Sequence, residues 1–292
     1  MIEYGFVAAR VISGPLSDLY KKRLAERNAD PLYIVLFTYA FITVAAAAAL
    51  FLLPIPTAGA AFWRHIVLAS VFDTAGMVLV VMSLGVTDLS VFGPLNAYKP
   101  ALALALGAAF LHEKPGPTGL AGVAIIVAGS ILLGYAPGEA RRSISEMAKS
   151  HGVWFRLSGI ASFCVGVIFL KKAVVESSPF TTLFFWAAFG LAICVACAPA
   201  FRPRAFSANI KLLRRHAGDY AMVCLLMGIM QAMTLLAFRM MFVGYALALF
   251  QLSAILSILF GHRFFGEKHI AFRLASAAIM SAGALLIVLC PK

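Results

Sequence analysis

Two charged residues lie deep inside long apolar stretches of this sequence. Asp73 and Lys99 each stand about ten residues into a stretch long enough to cross a membrane. A charge in the hydrocarbon core costs about 2.5–3.5 kcal/mol on insertion scales, so each needs a partner or a function. The two are expected at similar depth on neighbouring helices. Either they form a structural ion pair, or Lys99 receives an anionic substrate group while Asp73 holds it or exchanges a proton. Both readings stay open.

The predicted helix that contains Lys99 is interrupted. The stretch Gly93–Pro100 holds two prolines and a glycine, together with the polar residues Asn96 and Tyr98. Proline removes backbone hydrogen bonds within a helix, and freed carbonyls at membrane depth must face protein or a wet cavity. We therefore predict a binding site here, with a simple packing kink as the alternative.

Further polar side chains lie in predicted helices elsewhere. Gln231, Gln251 and Ser253 can hydrogen-bond an amide, hydroxyl or carboxylate, and Ser253 follows Lys99 by 154 residues, the offset of the internal repeat described below. The alternative for each is a hydrogen bond between helices. Arg10 is a candidate gate or substrate charge, with a structural ion pair as its alternative. The predicted substrate-binding residues are Arg10, Asp73, Asn96, Tyr98, Lys99, Gln231, Gln251 and Ser253.

The elements that must position these residues are membrane helices. The chain has 292 residues, of which 62% are hydrophobic and 12% charged. It therefore has too few polar residues to form the surface of a soluble domain. A helix crosses the hydrocarbon core with about 20 mostly apolar residues. The sequence predicts an all-α membrane protein with ten transmembrane helices. They cover residues 4–21, 32–53, 63–84, 89–111, 117–135, 152–170, 180–200, 219–240, 244–265 and 270–290.

The two halves of the chain repeat each other. Glu113 and Glu267 are each followed by Lys, each lies close after Phe, and each precedes a glycine (Gly129, Gly283) by sixteen residues. We therefore predict two five-helix repeats, residues 1–136 and 152–292, joined by a polar linker over 137–151. Because five is odd, the second repeat enters the membrane from the opposite side. Inverted repeats of this kind are typical of alternating-access transporters.

These features resemble the EamA repeat of the drug/metabolite transporter superfamily. The turns at Glu113 and Glu267 carry the resemblance, together with a last helix that has a small residue and Gly near its middle. The likeness spans essentially the whole chain as two copies. It implies a ten-helix, multi-pass carrier of a small metabolite in the bacterial inner membrane.

Charge and missing motifs exclude other classes. The net charge of +12 comes from short basic clusters between apolar stretches, which fit the positive-inside bias and not a nucleic-acid-binding surface. The chain has no ATP-binding loop, no HExxH or GxSxG motif and no His/Cys cluster at metal-ligand spacing. We therefore expect no enzyme, no metal and no cofactor.

The expected function is secondary-active transport. A permease or exporter would move a small polar or amphipathic metabolite by alternating access, with proton coupling as one option. A flippase for lipids or lipid-linked sugars on the same fold is the alternative, and a membrane-embedded enzyme is less favoured. The expected partners are a small-molecule substrate and membrane lipids. Orientation stays open, because most loop Lys and Arg follow odd-numbered helices and place the termini outside, whereas the resemblance implies termini inside.

Overall fold

In a computed structural model, the regular structure of the described residues is entirely α-helical. The described residues are 2–27, 29–50, 59–84, 99–134, 151–201, 206–253, 255–256, 259 and 270–289. The helices within them are α1 (Ile2–Glu26), α2 (Pro31–Leu50), α3 (Ala60–Leu84), α4 (Lys99–Leu111), α5 (Pro117–Gly134), α6 (His151–Glu176), α7 (Pro179–Phe201), α8 (Phe206–Arg215), α9 (Ala217–Met240), α10 (Val243–Phe250) and α11 (Ile270–Leu289).

Local sequence explains where several helices begin. Pro31, Pro117 and Pro179 are the first residues of α2, α5 and α7. Proline suits this position because its φ is already helical and the N–H that it lacks would have no partner there. Two caps add to this: the side chain of Asp30 accepts a hydrogen bond from the N–H of Leu32 (3.0 Å), and that of Ser178 accepts one from the N–H of Thr181 (3.1 Å).

Most helices match predicted membrane segments to within a few residues. Helix α4 covers the last part of the segment predicted over 89–111, α10 covers the first part of 244–265, and α8 falls in a predicted loop. By length and composition, three described helices can cross a membrane, namely Val153–Glu176, Pro179–Cys197 and Ala217–Met240. Four shorter apolar helices accompany them: Leu32–Ala48, Lys99–Leu111, Pro117–Leu132 and Leu274–Ile287. The number of ten membrane helices stays a prediction.

The chain forms two compact units, and each unit takes helices from both halves of the sequence. The first unit comprises Met1–Thr74 and Phe169–Met240, and the second comprises Ala75–Ile168 and Met241–Lys292. In the first unit α1 packs along α9, and α2 packs along α7. In the second unit α5 packs along α11, and α4 packs against α10. The division into sequence repeats at 1–136 and 152–292, with its linker over 137–151, remains a prediction.

The last helices of the two predicted repeats, α5 and α11, cross at glycines. A Cβ atom added to Gly122 would lie 2.7 Å from the carbonyl oxygen of Gly283, and one added to Gly283 would lie 2.7 Å from that of Gly122. A Cβ on Gly129 would lie 3.0 Å from the carbonyl oxygen of Ser276. The repeat offset of 154 residues relates Gly122 to Ser276 and Gly129 to Gly283. The contact between Gly122 and Gly283 is therefore equivalent to the contact between Ser276 and Gly129. Gly129 and Gly283 therefore allow α5 and α11 to pack closely.

Candidate functional site

A buried acid lies in the interior of the first unit. Asp73 on α3 is 6% exposed, and its Oδ2 accepts a hydrogen bond of 2.8 Å from Nε1 of Trp186 on α7, which is 5% exposed. An indole N–H usually finds an acceptor when it is buried, and a buried carboxylate requires donors. The bond therefore gives the buried indole an acceptor and the buried carboxyl group a donor. That donor is neutral, so it does not balance a charge on the acid.

Tyr39 packs against this pair from α2. Its ring lies edge-on to the ring of Trp186, with 4.9 Å between the centroids and 66° between the planes. Gly190, one turn after Trp186, makes the approach possible, because a Cβ there would come within 2.7 Å of the Tyr39 ring carbon Cζ. Aromatic packing and a missing side chain thus hold α2 close to α7.

Two buried hydroxyls lie beside the acid. Tyr39 Oη and Thr74 Oγ1 are buried and have no hydrogen-bond partner among the described residues. Asp73 and Thr74 are polar neighbours of the Tyr39 hydroxyl. Because buried polar atoms are normally paired, such groups are suited to a ligand, a water molecule or an alternative conformation. We refer to Tyr39, Asp73, Thr74 and Trp186 as the Asp73 cluster.

Arg10 and Gln231 also belong to the first unit. Nε of Arg10 on α1 donates a hydrogen bond of 3.2 Å to Oγ1 of Thr234 on α9. Gly14 provides space for the guanidinium, since a Cβ there would lie 2.7 Å from Nη1 of Arg10. Gln231 is buried one turn before Thr234 on α9, the helix that packs along α1. Arg10 therefore connects these two helices.

Lys99 lies in the second unit, as the first residue of α4. Its ammonium nitrogen is 5.4 Å from the ring centroid of Phe163, a cation–π distance. Its carbonyl oxygen lies 3.8 Å from Sγ of Cys164, a weak hydrogen bond. Since Asp73 belongs to the first unit, the pairing of Asp73 with Lys99 stays a prediction. Asn96 and Tyr98 lie outside the described residues.

Gln251 and Ser253 lie at an interruption of the predicted helix 244–265. The N–H of Gln251 donates to the carbonyl of Ala248 (3.0 Å), and that of Leu252 to the carbonyl of Leu249 (3.1 Å). These bonds span three residues instead of four, so α10 ends in a turn, and helical backbone resumes at Ser253. The prediction of one continuous helix was wrong at this point. An interrupted membrane helix with polar residues is a common setting for a substrate site.

Glu113 is a helix cap. Its two carboxylate oxygens each lie 3.1 Å from the backbone nitrogen of Val243, the first residue of α10, and accept its N–H. Gly107 leaves room for them, since a Cβ there would lie 2.7 Å from Oε2 of Glu113. Glu113 therefore caps the start of α10. Its counterpart Glu267 lies outside the described residues.

Sequence reasoning missed three members of the Asp73 cluster: Tyr39, Thr74 and Trp186. A usable signal existed for Trp186, because an indole N–H in the middle of an apolar helix needs an acceptor, and Asp73 is a mid-membrane acceptor. Nothing comparable marked Tyr39 or Thr74. Among the described residues, no group of three His, Cys, Asp or Glu could hold a metal ion.

Long apolar helices support an integral membrane protein, and a family match supports a function of the transporter type. Residues 6–135 match the model of the EamA-like transporter family, which is part of the drug/metabolite transporter superfamily. The predicted resemblance to this superfamily is thereby confirmed over residues 6–135. The matched range is close to that of the first predicted repeat.

The fold is shared with proteins of known structure. The chain is similar to 28 chains among the solved structures. One of these, a crystal structure of a protein, is 14% identical with a TM-score of 0.74, over 99% of this chain and 98% of that chain. A comparison with curated proteins found no significant match.

Proposed function

We propose that the protein is a secondary-active transporter, not an enzyme, that moves a small polar or amphipathic metabolite by alternating access. The observation that carries the proposal is the Asp73 cluster, a buried acid with a neutral donor beside two buried hydroxyls that have no hydrogen-bond partner of normal geometry among the described residues. The family match supports transport as the general function. The resemblance to EamA repeats leads us to propose the bacterial inner membrane as its location.

The acid gives the site its chemistry. An ionised carboxylate in apolar surroundings is costly, and one indole N–H offsets only part of that cost. Binding a proton, or a positively polarised group of the substrate, removes the charge. Asp73 therefore exchanges a proton or holds a donor group of the substrate, and the hydroxyls of Tyr39 and Thr74 supply further hydrogen bonds.

The helix pairing supports alternating access. Helices α2 and α7 occupy equivalent places in the two predicted repeats, and they pack together in the first unit. Helices α5 and α11 are equivalent as well, and they pack together in the second unit. Their contacts at Gly122 and Gly129 are related by the repeat offset. Such pairing is expected of inverted repeats, whose two arrangements differ little in energy and open the site to each side in turn.

Reconstitution tests this function. The purified protein, in sealed proteoliposomes, is assayed for counterflow with a panel of radiolabelled amino acids, nucleosides and sugar phosphates. We expect counterflow of at least one probe, recovered chemically unchanged. Asp73→Asn should lower uptake driven by a pH gradient at least about tenfold, whereas Asp219→Asn, at the start of α9, is the matched control and should keep most of it.

The counterflow of Asp73→Asn separates the two roles of the acid. A residue that only carries protons leaves exchange intact and loses gradient-driven uptake, whereas a substrate contact loses both. Lys99→Gln should abolish counterflow in a folded protein if Lys99 receives an anionic substrate group. Wild-type transport by Asp73→Asn would refute the site. Movement of a fluorescent phospholipid between leaflets, without counterflow of any probe, would favour the flippase.

A further inference from the structure

The short helix α8 differs from all the other described helices in its composition. It separates α7 from α9, and its ten residues include Lys211, Arg214 and Arg215 but no acidic residue. These three cations are exposed, whereas Asn209 on the opposite face is buried. The helix is amphipathic, with a strongly basic outer face, which is typical of helices that lie at a membrane interface.

Helix α8 is fixed against the first unit. Its residues Leu212 and Leu213 pack on a buried cluster formed by Leu24, Ala29, Ile34, Tyr220 and Val223. The side-chain oxygen of Asn209 accepts a hydrogen bond of 3.0 Å from the N–H of Asp30, and the rings of Phe206 and Tyr33 lie 6.1 Å apart. These partners lie where α1 ends and where α2 and α9 begin. Because α2 and α9 are apolar helices, we expect α8 at the level of the polar headgroups.

Further basic residues lie near α8, together with the acids Asp30 and Asp219. Arg27 contacts Asp219 and His216, so the acid that begins α9 is already neutralised. Arg23 lies over the ring of Tyr20 at 5.2 Å. Within the described part of the chain, no ion pair involves the three cations of α8. This end of the first unit thus has positive charge available for an anionic partner.

An exposed aromatic residue accompanies the charges. Phe206, the first residue of α8, is 54% exposed. Cations at headgroup level attract anionic lipids, and an adjacent aromatic ring can enter the boundary of the acyl chains.

We propose that α8 is a binding site for anionic phospholipid headgroups. Lys211, Arg214 and Arg215 bind the headgroup phosphates, and Phe206 lies among the upper acyl carbons. This site is separate from the Asp73 cluster and does not depend on the proposed transport function.

A lipid titration of the full chain tests the proposal. The protein in a neutral detergent is titrated with phosphatidylglycerol and, separately, with phosphatidylcholine, and bound lipid is counted by native mass spectrometry. We expect wild type to prefer phosphatidylglycerol. Replacing the three α8 cations with Gln should weaken phosphatidylglycerol binding at least about tenfold and leave phosphatidylcholine binding unchanged.

A matched variant controls for net charge. Arg64, Lys114 and Arg239 are exposed basic residues outside α8, and replacing these three with Gln removes the same charge. This control should retain wild-type binding of phosphatidylglycerol. Equal losses in both variants, or no loss in the α8 variant, would overturn the proposal. If the Gln variant fails to fold, the charge-conserving variant K211R/R214K/R215K and the single substitution Lys211→Glu replace it: the first must retain binding and the second must weaken it.

Discussion

Nε1 of Trp186 and Oδ2 of Asp73 are joined by a hydrogen bond of 2.8 Å that links α7 to α3 in the interior of the first unit. The bond gives a mid-helix acid a donor without neutralising it. It also couples the acid to Tyr39, which packs on the same indole. A movement of α7 relative to α3 that separates these two side chains would break this polar contact.

Removing the indole donor should destabilise the protein. Trp186→Phe keeps an aromatic ring but leaves Oδ2 of Asp73 without its donor, so we expect the free energy of unfolding to fall by about 1–3 kcal/mol. The measurement is denaturant unfolding in detergent. Trp154→Phe, at a residue 58% exposed, is the control and should change stability little; equal effects of the two substitutions would contradict the assigned contact.

Loss of the Glu113 cap should weaken α10. In Glu113→Ala the N–H of Val243 loses both carboxylate acceptors, so we expect a cost of about 1–2 kcal/mol. Glu113→Gln keeps one oxygen acceptor and should cost less. Thermal unfolding in detergent measures the series, with Glu3→Ala, in the first turn of α1, as the control. If Glu113→Gln lowers the stability as much as Glu113→Ala, the hydrogen bonds to Val243 are not the source of the stabilisation.

Two glycines near the start of α5 should respond differently to the same substitution. A Cβ on Gly119 would clash with the hydroxyl oxygen of Tyr245, whereas a Cβ on Gly116 meets nothing within 4 Å. Gly119→Ala therefore forces a buried side chain to move and should cost about 1–3 kcal/mol. Gly116→Ala should be close to neutral. Melting temperatures of the two variants check this, and a Gly119→Ala protein as stable as wild type would disprove the close contact.

Glycine at position 112 should stabilise the turn after α4. His112 has a φ of 54°, in the left-handed region, which costs a residue with a Cβ about 1 kcal/mol. The counterpart at the repeat offset is Gly266. We expect His112→Gly to raise the melting temperature and His112→Ala, which keeps the Cβ, to leave it unchanged or lower it. A stabilised Ala variant would mean that the imidazole, and not the backbone, is the source of strain.

Local sequence signals predicted much of the architecture. Segment lengths predicted most of the helices, because the hydrocarbon core requires about 20 apolar residues whatever their order. The doubled turn at Glu113 and Glu267 indicated the superfamily, and the family match over residues 6–135 includes the first of these turns. Asp73 stood out because a charge in an apolar segment needs a reason to be there.

Other features had weak or no local signals. Helix α8 fell in a predicted loop, because ten residues with five polar or basic side chains are too short and too polar to indicate a membrane helix. The turn at Gln251 follows an apolar run with neither Pro nor Gly beside it. The sequence therefore indicated polar residues at Gln251 and Ser253 without showing that the helix ends there.

The sequence by itself determined that the chain is helical and suited to a membrane, and it predicted the internal repeat, since these properties depend on composition and spacing. Only the tertiary structure decided which side chains meet: Asp73 with Trp186, Tyr39 with Gly190, and Glu113 with Val243. The physical reason is that helices such as α2 and α7 are apolar on every side, so no stripe marks the face that packs. The shape of neighbouring side chains and the need to pair each buried polar atom select the contacts.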